Sequence, residues 1–222
     1  MPAFLPASDD GSYRSANWHK YAQGGAAYRW LLRRVHDELA RHVGRFRPAT
    51  VLDVGCGEGF VAADLKRRRP GLRITGVDAD ADAVGYARRH FGDAAAFGTA
   101  DAYSLPYEDG AFDVAVCSEV LEHLDRPARA LRELRRVARR GVVVSVPREP
   151  AFDALNRLGQ ALGAAPDPGH VQHWTPRAFG ALLGPLLGDV EVTTRHLFTL
   201  ASGSATAPAG GGAGLGKNLT VR

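Results

Sequence analysis

The chain has 222 residues, of which 45% are hydrophobic and 23% charged, so it is long enough for one domain with a sizeable core and has the composition of a globular protein. The net charge of +4 is mildly basic, and the two cysteines provide neither a disulfide framework nor a zinc ribbon. The sequence shows no secretory signal and no apolar run of about 18 residues, so we expect a cytoplasmic protein without a membrane span.

The N-terminal segment divides into an irregular part and a helix. Residues 1–12 carry proline, serine and aspartate, which predicts loose or extended chain. From Ala26 to Val43 the apolar residues recur at helical spacing, with one stripe made of Trp30, Leu31, Val35 and Leu39. This aromatic-rich segment suits either a lid over a substrate or a cover for one edge or face of a sheet. We treat residues 1–44 as an N-terminal extension and helical cap.

The first strand and the turn after it are the most informative part of the sequence. A β-branched, apolar strand, Thr50–Val54, runs into glycines at three alternate positions, and a helical pattern follows from Gly59 to Arg69. Glycine tolerates positive φ and lets a ligand approach the backbone, as at the nucleotide-binding corner of an open α/β sheet. The spacing is G-x-G-x-G, with Asp53 before it and Glu58 within it. Carboxylates at this turn repel phosphate and favour a cationic ligand.

The second strand, Arg73–Val77, leads into Asp78, which follows Gly59 by 19 residues. A carboxylate at this place in such a sheet can accept hydrogen bonds from both hydroxyls of an adenosine ribose. Asp78 or Asp80 can instead cap the next helix, Ala81–His90. The two roles can coexist, with Asp78 on the ribose and Asp80 as the cap.

Strands and helices continue to alternate, which predicts a doubly wound α/β sheet. Further strands are predicted at Ala95–Thr99, Phe112–Cys117 and Val142–Val146, and the last has the apolar character of a central parallel strand. The amphipathic helix Pro127–Arg139 lies between the last two strands, and Gly141 is expected to end it.

The last third of the chain departs from this alternation. We predict a helix over Ala151–Leu162, a loop over Gly163–Thr175, and a second helix that opens at Thr175 and Pro176, with threonine as the N-cap. Residues 190–197 alternate like a strand. Residues 201–216 are rich in alanine, glycine and serine and are expected to be mobile. A final strand, residues 218–222, is expected to return as an antiparallel hairpin.

Four blocks of the sequence together resemble the class I S-adenosylmethionine (SAM) methyltransferases, over roughly residues 45–200. They are Val51–Gly59, the acid Asp78, the segment Asp101–Asp113, and the segment Ser118–Leu124. The subtype is similar to the small methyltransferases of ubiquinone, menaquinone and natural-product methylation. The resemblance implies that residues 45–222 form a SAM-binding methyltransferase domain. It also implies a Rossmann-like sheet of seven strands in the order 3-2-1-4-5-7-6, with strand 7 antiparallel.

The same resemblance implies where SAM, and its product S-adenosylhomocysteine, would bind. The methionine part would contact the glycine turn, the ribose the end of the second strand, and the adenine the end of the third. The segment after the fourth strand would line the amino-acid end. The implied cofactor-binding residues are, in that order, Asp53, Gly55, Cys56, Gly57 and Gly59; Asp78 and Ala79; Asp101 and Ala102; Ser118 and Glu119. For Asp101 and Ser118, the residues themselves show only a position at a strand end.

Methyl transfer to a hydroxyl needs a base, and histidine, with an unperturbed pKa of about 6.5, suits that role. The candidates are His123, after the fourth strand, and His170 and His173, in the loop after the fifth. Each can instead be structural, and His123 can simply pack behind Glu122. The spacing of His170 and His173 also fits a metal, but the sequence shows no obvious third ligand nearby. We therefore predict no metal site.

The methyl acceptor is not evident from the sequence, and two alternatives stay open. Basic runs at Lys66–Arg69 and Arg132–Arg140 suggest an RNA or protein substrate, although solvated helix surfaces explain them better. We therefore expect a small-molecule acceptor, methylated on oxygen or otherwise on nitrogen or carbon, and no nucleic-acid partner. The second alternative is a non-catalytic SAM-binding scaffold. The sequence does not distinguish a monomer from a homodimer.

Overall fold

The computed structural model describes residues 26–161, 169–206 and 219–221. The strands in these ranges are β1 (Thr50–Val54), β2 (Arg73–Asp78), β3 (Ala96–Thr99), β4 (Phe112–Ser118), β5 (Ala138–Pro147), β6 (Gly188–Arg195), β7 (Phe198–Ser204) and β8 (Leu219–Val221). They form one sheet in the order β3-β2-β1-β4-β5-β7-β6-β8. Strands β1 to β5 run parallel to one another, and β7 is antiparallel to both of its neighbours. The predicted order of the first seven strands is confirmed.

Helices cover both faces of the sheet. In the described part of the chain they are α1 (Ala26–Gly44), α2 (Phe60–Arg68), α3 (Ala81–Phe91), α4 (Pro127–Val137), α5 (Ala151–Ala161) and α6 (Pro176–Leu183). Successive strand residues point to opposite faces, so Val51 packs in the cluster under α1, α2 and α3, whereas Leu52 packs in the cluster under α4 and α6. No helix of the described residues is long and apolar enough to cross a membrane.

Helix α1 lies on one face of the sheet. Its apolar residues Val35, Leu39 and Val43 are buried in the same cluster as Val51 of β1. Helix α1 therefore covers part of that face. Residues 1–25, which hold part of the aromatic-rich segment, lie outside the described residues.

The seventh strand is formed by different residues from those predicted. Strand β7 begins before Ala201 and runs into the segment that we expected to be mobile, and it is paired on both sides, with β5 and β6. Its small residues permit close approach, because a Cβ on Gly203 would lie 2.7 Å from the Cβ of Leu187. Strand β8 pairs parallel with β6. The predicted antiparallel hairpin of residues 218–222 is therefore wrong.

The predicted helix boundaries had different outcomes. Gly141 does not end α4, because the helix stops at Val137 and Gly141 lies within β5, where a Cβ would meet the ring of Phe46 at 2.4 Å. The predicted caps are confirmed. The side chain of Asp80 accepts hydrogen bonds from two backbone N–H groups at the start of α3, and Thr175 accepts one at the start of α6.

Candidate active site

The turn after β1 requires glycine at three positions. Gly55, Gly57 and Gly59 have φ values of 73°, 50° and 85°, a region that other residues rarely adopt. Gly55 also lies against the segment after β4, since a Cβ there would be 2.2 Å from a methyl carbon of Val120. The turn therefore presents backbone rather than side chains, and it touches the end of the neighbouring strand.

Asp53, in β1, carries a carboxylate that is only partly satisfied. The residue is 1% exposed, and its Oδ2 has no hydrogen-bond partner among the described residues. Burial, and then the charge of Asp78, raises the pKa of Asp53 to about 7. A buried oxygen without a partner costs free energy, so this position suits a cationic hydrogen-bond donor.

Asp78 lies at the end of β2, and both of its oxygens face the backbone of the site. One accepts a hydrogen bond from the N–H of Gly57 at 2.7 Å and the other from the N–H of Asp80 at 2.9 Å. A carboxylate oxygen has a second lone pair, so Asp78 can still accept ribose hydroxyls. Ala79, beside it, is exposed.

The end of β3 contributes a turn at the same edge of the sheet. Asp101 is exposed, and its Oδ1 accepts a hydrogen bond from the N–H of Tyr103 at 2.8 Å. The hydroxyl of Tyr103 accepts a hydrogen bond from the N–H of Arg126 at 3.1 Å. Ala102 is half-buried and packs against the core. Asp101 therefore lies two residues after the end of β3.

Cys56, inside the glycine turn, is placed for packing. It is 7% exposed and belongs to the hydrophobic cluster under α2. Burial raises the pKa of its thiol, so the thiol stays protonated at neutral pH. Its backbone N–H donates to the carbonyl of Val77 at 3.0 Å, which joins the turn to β2.

Three side chains at the ends of β4 and β5 form a hydrogen-bonded chain. The hydroxyl of Ser145 donates to Oε1 of Glu119 at 2.8 Å, and the hydroxyl of Ser118 lies 2.8 Å from that of Ser145. Because Ser145 donates to Glu119, Ser118 must be the donor to Ser145. Glu119 has a φ of 57°, a strained value that is common at functional sites. The sequence analysis missed Ser145, although a serine in a run of valines was a usable signal.

The three candidate histidines are brought together by the loop before α6. The backbone N–H groups of Val171 and Gln172 donate to the carbonyl of Glu122 at 2.9 and 3.1 Å. These bonds place the ring of His170 4.8 Å from that of His123. The ring of His173 lies 6.4 Å from that of His170. The carboxyl edge of the sheet thus carries both the predicted cofactor residues and the predicted bases.

Glu149 pairs with His173, and the sequence analysis missed it. Oε1 of Glu149 lies 3.3 Å from Nδ1 of His173, and the backbone N–H of Glu149 donates to the carbonyl of Trp174 at 3.1 Å. A carboxylate in this position fixes the orientation and tautomer of an imidazole. The two residues are far apart in sequence, and no local motif connects them.

A possible metal-ligand group also lies at this edge. One ligand atom each from Glu122, His123 and His170 lies within 4.8 Å of the other two. Glu122 and His123 are therefore the ligands beside His170 that the sequence did not reveal. His173 is not part of the group.

The part of the chain that forms strands β1 to β5 matches a known protein family. The family model of a methyltransferase domain matches residues 52–146. Residues 52–146 are therefore similar to a methyltransferase domain. The matched residues run from β1 to β5 and include the glycine turn. The observed strand order agrees with the Rossmann-like methyltransferase sheet that the resemblance implied.

Curated relatives of the chain include two methyltransferases whose names refer to quinones. The ubiquinone biosynthesis O-methyltransferase of Sodalis glossinidius is 33% identical over 132 residues, which are 56% of this chain and 49% of that protein. The demethylmenaquinone methyltransferase of Thermus thermophilus is 35% identical over 142 residues, which are 60% of this chain and 62% of that protein. The chain thus spans only part of the length of these relatives.

Solved structures share the fold of this chain. The magnesium protoporphyrin IX methyltransferase of Synechocystis PCC 6803, solved with bound S-adenosylhomocysteine, superposes with a TM-score of 0.63 at 19% identity, covering 85% of this chain and 92% of that one. The PH0226 protein of Pyrococcus horikoshii gives 0.65 at 18% identity, covering 84% and 94%. At these identities the likeness concerns the fold alone.

Proposed function

We propose that this protein transfers the methyl group of SAM to a hydroxyl group of a small organic acceptor, with transfer to nitrogen or carbon as variants of the same reaction. The observation that carries the proposal is the buried Oδ2 of Asp53, which no group in the described ranges satisfies, beside a turn of three glycines with positive φ. SAM carries an ammonium and a sulfonium and no phosphate, which matches this acidic turn. The quinone-pathway names of the two relatives support a small hydroxylated acceptor.

The residues at the strand ends would hold the cofactor. Asp53 would accept hydrogen bonds from the ammonium group, Asp78 from the ribose hydroxyls, and Asp101 from the adenine amino group. Ser118 and Glu119 would line the amino-acid end of the pocket. When bound, SAM supplies an electrophilic methyl group that a nucleophile displaces in line.

His173 is the base that the geometry favours. Its Nδ1 faces Oε1 of Glu149 at 3.3 Å, so Nδ1 carries the proton and donates it to that hydrogen bond. Nε2 is then the basic nitrogen, and it would accept the hydroxyl proton of the acceptor. Glu149 stabilises the imidazolium that results. His123 and His170 lie beside this pair and line the acceptor side.

The basic runs support a small acceptor over a nucleic acid. Two arginines of Lys66–Arg69 bind the buried carboxylate of Asp64, at 2.7 and 2.6 Å. In the second run, Arg139 and Arg140 both pair with Asp113 at 2.8 Å. Arginines used in this way stabilise the fold, and a phosphate backbone would have to compete with those carboxylates for them. We place the protein in quinone-like or natural-product metabolism.

A cytoplasmic location completes the proposal. The two cysteines of the chain, Cys56 and Cys117, are both free and buried, which fits a reducing compartment.

Calorimetry followed by a transfer assay tests this function. SAM and S-adenosylhomocysteine should bind the purified chain, whereas NAD and ATP should not. Radiolabelled SAM should then label a phenol or quinol from a panel of small acceptors. Binding of SAM without transfer to any metabolite, protein or RNA would favour the scaffold alternative. Tight binding of NAD or ATP in place of SAM would refute the proposal.

A further inference from the structure

Three potential metal ligands from two separate segments meet at the carboxyl edge of the sheet. They are Glu122 and His123, in the turn after β4, and His170, in the loop before α6. We propose that these residues bind a divalent transition-metal ion, with zinc as the best match. The proposal goes beyond the methyl transfer described above, which requires only a cofactor pocket and a base.

The donor set indicates the class of metal. Two imidazoles and one carboxylate are the three protein ligands of many catalytic zinc sites, which keep the fourth position open. Imidazole favours zinc, copper, iron and nickel over magnesium and calcium. Bond lengths of about 2.0–2.2 Å put the ligand atoms of a tetrahedral zinc roughly 3.3 Å apart. The observed atoms, within 4.8 Å of one another, therefore reach an ion by small side-chain rotations.

Hydrogen bonds to backbone groups hold the two segments together. The N–H groups of Val171 and Gln172 donate to the carbonyl of Glu122 at 2.9 and 3.1 Å. On the other side of His170, the carbonyl of Gly169 accepts a hydrogen bond from Nδ1 of His123 at 3.3 Å. That bond leaves Nε2 of His123 as the metal-binding nitrogen, in the way that outer contacts orient metal-bound histidines. The group is therefore positioned from both segments.

Burial and access also suit a bound ion. Glu122 is 1% exposed, and a dication offsets the free energy of removing its carboxylate from water. His170 is half-buried and His123 is exposed, so an ion can enter from solvent and keep an open coordination position. The three ligands therefore range from the buried carboxylate of Glu122 to the exposed imidazole of His123.

The cluster lies next to the cofactor turn. Val120, two residues before Glu122, lies against Gly55, where an added Cβ would meet it at 2.2 Å. An acceptor hydroxyl in the open position would bind the ion and ionise more easily. The O–H bond would break, its electron pair would stay on the metal-bound oxygen, and the proton would pass to Nε2 of His173. His173 lies outside the donor set and keeps the role of base.

Cobalt substitution tests the site without any activity measurement. The untagged, full-length protein is treated with a chelator, dialysed and titrated with Co²⁺, whose visible absorption reports four-coordinate binding. We expect one ion per chain, displaced by Zn²⁺. His123→Ala, His170→Ala and Glu122→Gln should each weaken binding by more than about 100-fold, since even the loss of an outer contact costs 10–100-fold.

Two other histidine variants provide matched controls. His196 is exposed and lies against Trp30, so His196→Ala should keep the full cobalt spectrum, as should His173→Ala. Cobalt binding that survives both His123→Ala and His170→Ala would overturn the site. So would a loss caused by His173→Ala but not by His123→Ala, and so would the absence of any cobalt spectrum.

Calorimetry with SAM separates this proposal from the methyl-transfer function. Unchanged SAM affinity of the metal-free Glu122→Gln, His123→Ala and His170→Ala proteins would show that each variant is folded and that any loss of cobalt is local. A wild-type chain that binds cobalt but not SAM would refute the proposed function and leave the metal site standing.

Discussion

Two buried aspartates on neighbouring strands show how differently the two ends of the sheet are built. Asp113, at the start of β4, is 0% exposed. It accepts hydrogen bonds from two backbone N–H groups at 2.7 and 3.1 Å and pairs with Arg139 and Arg140. Burial opposes its ionisation, but Arg139 and the backbone donors outweigh burial and lower the pKa of Asp113 to about 2. The chain itself satisfies this carboxylate.

Asp53, near the end of β1, is equally buried at 1% exposure but has the opposite surroundings. Its Oδ2 lacks a partner in the part of the chain that the structure describes. Burial and the charge of Asp78 raise its pKa to about 7. Burial of a charge is therefore not what marks the functional end of this sheet. The distinguishing feature is a buried charge that the fold leaves incomplete.

The largest effect should come from Asp113→Ala, which leaves the backbone N–H groups of Ala49 and Thr50 and two arginines without their buried partner. We expect a loss of about 3–5 kcal/mol in the free energy of unfolding, measured by urea denaturation. Asp109→Ala is the control, since Asp109 is an 83% exposed partner of Arg136 and should change stability by less than about 1 kcal/mol. Equal effects of the two substitutions on the free energy of unfolding would contradict the structural role of Asp113.

At the carboxyl end, His173→Ala should change the rate rather than the fold. Loss of the base should lower kcat by about 100-fold or more, while calorimetric SAM affinity and the urea midpoint stay at the wild-type values. Glu149→Gln should lower kcat less, because it weakens the orientation of the ring but keeps the base. Wild-type turnover by the alanine variant would contradict the role of His173 as the base.

Asp53→Asn sharpens the comparison most directly. The substitution removes the charge that we assign to the SAM ammonium, so affinity for SAM should fall by about 10–100-fold, the equivalent of a charged hydrogen bond. The free energy of unfolding should stay the same or rise, because a buried charge without a full set of partners is lost. A protein that loses stability and keeps its affinity would invert the roles of the two aspartates.

Asp78→Ala should weaken SAM binding by about 10-fold through the loss of the ribose acceptor. The effect should be smaller than that of Asp53→Asn, because Asp78 is half-exposed and water can replace part of its contacts. Calorimetry measures the change. Unchanged affinity would refute the ribose role.

The pH dependence of stability should have opposite signs for the two aspartates. The pKa of Asp53 is raised from 3.8 to about 7, so its contribution to stability falls as pH rises between these values. The pKa of Asp113 is lowered from 3.8 to about 2, so its contribution is present above 3.8 and is lost as pH falls through about 2. Urea midpoints between about pH 4.5 and pH 7.5 should therefore decline less in Asp53→Asn than in the wild type.

The sequence was sufficient for β1, β2, β4 and residues 142–146 of β5 because each has a local apolar pattern. It was not sufficient for β7, whose small residues have the composition of a loop. Their burial is set by β5 and β6 on either side and by the close approach of Leu187 to Gly203. Those contacts depend on long-range pairing, which no local window contains.

The residues of the candidate site also fall into two groups, those that the sequence could place and those that it could not. Asp53, Asp78 and Asp101 could be placed from the sequence because parallel strands end at one edge of a sheet. The cluster around His170 could not, because its loop is docked by backbone N–H groups that bind the carbonyl of Glu122. Backbone hydrogen bonds of this kind leave no residue signature. The contact of Glu149 with His173 follows from that docking.

The contact between Val120 and Gly55 joins the cofactor turn to the segment that carries Glu122 and His123. If a bound cofactor displaced the turn, the side chain of Val120 would transmit that displacement to the segment with Glu122 and His123. Cooperativity between two ligands is mutual: the factor by which an ion at the cluster changes SAM affinity is the factor by which SAM changes affinity for the ion. Substituting Val120 with alanine would weaken the coupling between SAM binding and ion binding without changing any residue that is assigned to either ligand.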